Sequence, residues 1–455
     1  MERGKRQSLL VLVIGLGVLV PLFVVSDAGT AFAGKTPHRS TTTTTGSSSS
    51  TTKPPKSTTT TAPKSTTTTA PKTTSTSTST TASTIPVSPG DPIQSHVPDT
   101  IANDCSADVT SQLLAWINSV PDNAVLTFDT GACYEIEGVL MVSRRNWLTF
   151  DGNGATFEAK TDGASSPPPA ELGDASSWPR RRAHWFVLNS TNITITNLTV
   201  IGNDPYTGMG DAQYNPSYEK QSGVVVNASS YVTLTDLTIS KVWGDFVSIE
   251  KDASHVTVRN GHFTTSGRQG IAITSGTHIV IDGNAMDDVR WGMFDLEPNG
   301  DSAVIDDVQI INNVTGTSRW FWFASIGPSV HVSNIDIEYN HMTGYSYVTA
   351  IYVNNKTPTA GLRGPWTIAH NDMKVGWTTY GGFEFHGAGQ LSIHDNVVHI
   401  LAMPHPIAVK ATDSDHLQVH DNDFTGTSRI IDPGNTTNWC EINDIPADLS
   451  QNVPC

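Results

Sequence analysis

The sequence has no Cys-x-x-Cys and only four cysteines among its 455 residues, so it lacks the donors for a zinc knuckle or a dithiol redox site. Beyond Val25 it has no run apolar enough to span a bilayer. Basic residues are also scarce. The first 88 residues hold nine of the 27 Lys and Arg but only two of the 43 acids, which leaves 18 basic against 41 acidic residues, a net charge of −23. That balance excludes nucleic acid and anionic membrane as expected partners and suits an extracellular protein. Helical periodicity is also missing from most of the chain, apart from one short stretch near residue 110.

What is present begins with an export pattern. "MERGKRQ" precedes the apolar run Leu9 to Val25, and small residues stand at Ala31 and Ala33. This reads as a signal peptide over 1–33, cleaved after Ala33; the alternative is retention as an anchor. Residues 34–88 are Ser, Thr, Pro and Lys, with "PKSTTTTA" at 55–62 repeated at 63–70. Such a composition buries no core and reads as a disordered linker, placing residues 89–455 outside the cell, secreted or wall-associated. The cysteines sit in pairs at the two ends of that region. Pairing Cys105–Cys133 and Cys440–Cys455 is favoured among the three connectivities open to them.

From residue 190 the chain repeats. "NITITNLTV", "YVTLTDLTI", "HVTVRNGHF", "HIVIDGNAM", "DVQIINNVT", "NIDIEYNHM", "PWTIAHNDM", "QLSIHDNVV" and "HLQVHDNDF" align on residues 193, 232, 256, 279, 308, 335, 366, 391 and 417. Short alternating strands at such a period predict an all-β, single-stranded parallel β-helix. Five residues on stand Asn284, Asn313, Asn340, Asn371, Asn396 and Asn422, which predicts a ladder of stacked amides inside a turn. Open coil ends expose strand edges. The stretch 106–121, apolar at Val109, Leu113, Trp116, Ile117 and Val120 and stopped by Pro121, reads as a helical N-terminal cap.

These repeats resemble the right-handed parallel β-helix proteins of the pectin-lyase-like superfamily, which include polygalacturonases, polysaccharide lyases, epimerases and tail-spike depolymerases. "VWGDFVSIEKDASHVTVRNGHFTTSGRQGIAITSG" (242–276) is similar to the polygalacturonase order. The resemblance puts Asp245 at a catalytic Asp, and Arg268 with Gln269 where that family has a Gly-His pair. Glu219, Lys220 and Gln221 stand where it has another Asp. It implies a polysaccharide partner and a right-handed coil.

Stacking the second strands with apolar residues inward gives outward pairs Ser248/Glu250, Asp295/Glu297, Trp322/Ala324, Tyr352/Asn354, Glu384/His386 and Ala408/Lys410. Arg268, Arg290 and Arg319 lead three of these strands and are read as one column. The candidate catalytic set is therefore Asp295, Glu297, Asp245 and Arg268. The candidate substrate-binding set is Gln269, Arg290, Arg319, Trp322, Tyr352, Glu384, His386 and Glu250. "WPRRR" (178–182) reads as a loop over the groove or a solvated run. Asp287, Asp288, Asp306 and Asp307 read as turn residues, with Ca2+ as the alternative; otherwise no metal or cofactor is expected. The leading function is a glycoside hydrolase acting as a monomer with paired carboxylates. Two further readings stay open: a uronate lyase or epimerase, which needs a base and cations, and a non-catalytic carbohydrate-binding or adhesion module.

Overall fold

The computed structural model describes residues 90–454, except 174, 207–213, 377–380 and 402–405. The expected signal peptide and linker lie outside the described residues. What is described is a parallel β-helix. One sheet of 11 strands takes one strand from each coil, from Leu140–Ser143 to Arg429–Asp432. The other ladders join 22 strands into a second sheet, and every pairing between these strands is parallel.

The repeat seen in the sequence is the register of the fold. Ile193, Val232, Val256, Ile279, Val308, Ile335, Trp366, Leu391 and Leu417 pair coil to coil and are all buried. Each such side chain, removed from water, contributes roughly 1.5–3 kcal/mol before chain entropy is counted.

The asparagine ladder forms as expected. Each Asn Nδ2 donates to the Oδ1 of the next coil's Asn, at 2.9 to 3.0 Å from Asn284 to Asn422. Each backbone N–H donates to that same oxygen, and each Nδ2 also reaches a carbonyl of the coil before. The row starts at Gly261, whose N–H meets Asn284 Oδ1, and ends on Asp444, which accepts both donors of Asn422. Burial pushes the Asp444 carboxyl up to about 7. Asn340→Ala removes one rung and leaves buried donors unmatched. We expect a loss of about 1–3 kcal/mol in urea unfolding; an unchanged midpoint would mean the row carries no stability.

The cap helix is Thr110–Ser119, with Leu113, Trp116 and Ile117 buried as expected. Asp108 Oδ1 accepts Thr110 N–H at 3.0 Å, and Trp116 packs edge-on against Phe128 at 5.2 Å. Cys105 and Cys133 are bridged, with Cα atoms 5.0 Å apart. Cys440 is disulfide-bonded too, and its expected partner Cys455 lies outside the described residues.

"WPRRR" is not solvated throughout. Arg182 is fully buried and donates to Gln221 Oε1 at 3.0 Å, while Arg180 pairs with Glu219. Tyr218 Oη donates to Asp162 Oδ2 at 2.7 Å, and Gln221 Nε2 reaches Asp162 O and Pro179 O. These contacts join the loop around 162–182 to the segment 214–221. The acidic turns are engaged in hydrogen bonds: Asp287 Oδ1 accepts Thr317 N–H, and Asp306 Oδ1 accepts Ser333 Oγ and Asn334 Nδ2.

Candidate active site

The 11-stranded sheet turns a polar face outward around Asp295. Its strand, Gly292–Leu296, buries Met293, Phe294 and Leu296 in the core. In register with Asp295 stand Ala272 one coil before and Ala324 one coil after. These small neighbours leave space on either side of the carboxylate.

Two carboxylates meet at one guanidinium, and a third lies beside them. Arg268 Nη1 lies 2.9 Å from both oxygens of Asp245, and Nη2 lies 2.6 Å from Glu297 Oε2. Gln269 ties in the third: its N–H donates to Asp245 Oδ1 at 3.1 Å, and its Nε2 donates to Asp295 Oδ2 at 2.6 Å. Gln269 Oε1 accepts Gly292 N–H at 2.9 Å, which fixes the amide's orientation. Ser222 Oγ accepts the Asp245 N–H at 3.3 Å, so the segment 214–221 leads into this cluster.

The members differ in burial. Asp245 and Asp295 are 3% and 5% exposed, whereas the side chains of Arg268 and Glu297 are 18% and 32% exposed. Burial raises the Asp295 carboxyl well above the ordinary carboxylate range, and the Glu297 charge adds to it. Its Oδ1 is buried with no hydrogen-bond partner. Burial also pushes Asp245 up to about 6, against the pull of Arg268. Burial opposes the charge on Arg268, but Asp245, Glu297 and Asp295 outweigh it, so the guanidinium stays charged. The arrangement thus sets a carboxyl raised by burial beside a more exposed one paired with Arg268.

The four residues expected to be catalytic are therefore together, and Gln269 joins them. Asp245 stands at the corner before its strand, two coils before Asp295 as expected, and Arg268 on the coil between bridges it to Glu297. The remaining residues are elsewhere. Glu250 accepts from Asn227 Nδ2 and Ser248 Oγ, both at 3.0 Å, two coils before Glu297. Tyr352 lies two coils beyond Asp295, with Phe321 stacked on it at 5.1 Å. Glu384 pairs with Lys410 at 3.2 Å, and His386 meets Thr412 Oγ1 at 3.0 Å, about three coils (~14 Å) from the acids.

Two expectations are corrected. Trp322 is not an outward platform. It is fully buried, donates Nε1–H to Thr315 Oγ1 at 2.9 Å and meets Phe294 edge-on at 5.0 Å. The reading had slipped two residues on that coil: Phe294 pairs with Phe323, not Phe321. A slip of two keeps the in-and-out alternation, so hydrophobicity does not reveal it. The corner residue before each inward strand also faces the core, and Trp322 fills that place, as do Phe246 and Met293. In the coil between those two the corner residue is Gly270, where a Cβ would come within 2.3 Å of Met293 O. The same slip misplaces Ala408: Glu384 pairs with Lys410, and Phe383 with Val409.

The arginines do not form one column either. Ser266 pairs with Val289 and Val289 with Ser318, which puts Arg290 and Arg319 in register with Gly267. Arg290 is buried. In register with Arg268 come Trp291 and Trp320, which stack on each other at 6.2 Å and 29°. Tyr214 meets Trp291 edge-on at 5.7 Å. This half-buried aromatic wall, missed in the sequence, follows each leading Arg directly ("RWG", "RWF"). Alignment on the inward residues Ile271, Phe294 and Phe323 puts Arg268 level with Trp291 and Trp320.

A family model described as a right-handed β-helix region matches residues 183–358 and 222–438, more than half of the sequence. The chain belongs to this right-handed β-helix family. Among solved structures it is similar to a Family 28 exopolygalacturonase of Yersinia enterocolitica, with TM-score 0.52, 12% identity, and 78% of each chain covered. It is also similar to the A-module of a mannuronan C-5 epimerase of Azotobacter vinelandii, with TM-score 0.53 and 12% identity over 77% of this chain and 99% of that one. A Streptococcus pneumoniae surface protein and adhesin matches at TM-score 0.52 and 12% identity, over 77% and 99%. No curated protein matches the sequence. At these identities the likeness is one of fold.

Proposed function

We propose that the chain is an extracellular glycoside hydrolase acting on a polysaccharide. The observation that carries this reading is the placement of the buried Asp295, its carboxyl raised by burial, beside the more exposed Glu297 two residues on. Asp295 is the general acid. Gln269 holds its Oδ2, which leaves Oδ1 to carry the proton. Oδ1 is closed off from bulk water, so substrate binding uncovers it before the leaving glycosidic oxygen supplies the missing partner. Glu297 is the general base that takes a proton from water. Alternate residues on one strand lie ~6.6 Å apart, within the ~6.5–9.5 Å that leaves room for a water molecule and gives inversion. Arg268 holds Glu297 and Asp245 in place.

Fold likeness to an exopolygalacturonase and an epimerase supports a polysaccharide partner. The lyase or epimerase reading needs a cation for a uronate carboxylate. Arg268 is engaged with Asp245 and Glu297, and Lys410 with Glu384, which favours hydrolysis.

The test follows reducing ends and ultraviolet absorbance together on neutral and uronic polysaccharides, with and without calcium. Reducing ends without absorbance are expected. An absorbance rise at the unsaturated-uronate band overturns hydrolysis in favour of a lyase. The anomer released first, read by NMR, is expected to be inverted; retention would make Glu297 a nucleophile instead.

A further inference from the structure

A groove of about 620 Å³ runs over the outer face of the 22-stranded sheet, away from the carboxylates on the other sheet. Its floor is a row of hydroxyls: Thr149, Thr194, Thr233 and Thr257 pair coil to coil, followed by Val280 and Gln309. Its wall is a second column two residues before the first, with Trp147, Asn192, Tyr231, His255, His278 and Asp307 on successive coils. All six have positive φ, between 53° and 57°. L-residues seldom adopt that backbone, and one such residue in each coil pushes a side chain out of the pleat.

Three of the rings stack. Tyr231 lies on His255 at 4.4 Å and 23°, and His255 on His278 at 4.5 Å and 3°. The stack stops at Asn192, whose amide turns toward Asn146 Oδ1 at 3.0 Å. One coil further stands Trp147. Tyr231 and Trp147 are thus two coil steps apart, about 9.6 Å, with one ring place left open between them.

We propose that this groove binds an uncharged glycan, with one sugar ring seated at Asn192 between Tyr231 and Trp147. Sugar rings stack on aromatic faces, and the Thr hydroxyls offer a donor and an acceptor at every coil. The lining has no Lys or Arg, its histidines are stacked face to face, and Asp307 is its one acid. Such a surface offers a polyanion no cation and suits a neutral chain. The proposal shares with the hydrolase reading a polysaccharide partner but uses none of the same residues.

The test is affinity electrophoresis of the full chain in native gels containing dextran, xyloglucan or galactomannan, with polygalacturonate as the anionic control. At least one neutral polymer is expected to retard the protein. Trp147→Asn with Tyr231→Asn should weaken that retardation tenfold or more, since Asn tolerates positive φ and keeps the backbone. Thr194→Arg with Thr233→Arg fills the groove without removing a core contact and should do the same at an unchanged melting temperature. Asp295→Asn should leave retardation intact. The proposal is overturned if no neutral polymer retards the protein, if only polygalacturonate does, or if both groove variants bind like the wild type. Turnover without groove binding would remove this inference alone; groove binding without turnover would remove the hydrolase reading alone.

Discussion

Asp295→Asn is expected to cut turnover severely while leaving a folded and more stable protein. The amide matches the protonated acid in shape and still accepts from Gln269 Nε2, but it has no proton to give. General acid catalysis contributes roughly 10²–10⁴-fold, so kcat should fall by about that much. The gain in stability follows from linkage. Burial raises Asp295, and it raises Asp245 to about 6, whereas an unfolded Asp titrates near 3.8. A carboxyl raised by folding adds stability below the unfolded value, and that stability is lost as pH rises through the folded value. The wild type should therefore lose stability from about pH 4 upward, with Asp245 contributing roughly 3 kcal/mol of the loss by neutral pH. Asp295→Asn removes its own share, so its melting temperature from pH 4 to 8 should be the flatter of the two and the higher at pH 8. A variant that melts lower than the wild type at pH 8 would contradict a buried, proton-holding Asp295.

Trp322→Ala should be among the most destabilising single changes. The indole is fully buried at a corner of the coil, against Phe294 on the strand that carries Asp295. Truncation leaves a cavity and an unmatched Thr315 hydroxyl. Losses of about 3–5 kcal/mol are usual for Trp in such a place. A surface platform for sugar would behave in the opposite way, with stability within about 0.5 kcal/mol and binding reduced. Urea unfolding alone separates the two. Activity per folded molecule should fall as well, because Phe294 loses the contact that sets the position of the next residue.

Most of the fold is legible in the sequence because the repeat, the inward alternation and the Asn row all depend on local spacing. The column from Ile193 to Leu417 came out at the right residues, and the cap helix was marked by its apolar spacing and Pro121. The site was legible in part. Asp245, Arg268, Gln269, Asp295 and Glu297 were all named, but not their contacts. Strand counting puts Asp245 two coils before Asp295, where it lies, but does not reveal that Arg268 bridges it to Glu297. Trp322 was misplaced because a shift of two residues leaves the hydrophobic pattern unchanged. Trp291 and Trp320 were hidden because the coils were aligned on Arg. Tyr231, His255 and His278 stand at the aligned segments' first residues, yet no pattern in the sequence distinguishes a side chain pushed out by positive φ from one lying flat on the sheet.

The asparagine row has a direction. Every amide donates toward the later coil, and the last one meets Asp444, an acceptor of another chemical kind. Such a row tolerates lengthening from within, since an inserted coil bearing Asn accepts from the rung before it and donates to the rung after. It does not tolerate a cut, because an end without an acceptor leaves two buried donors with nothing to meet. Length is thus the dimension along which this architecture varies most freely, and the two ends are the parts it must keep.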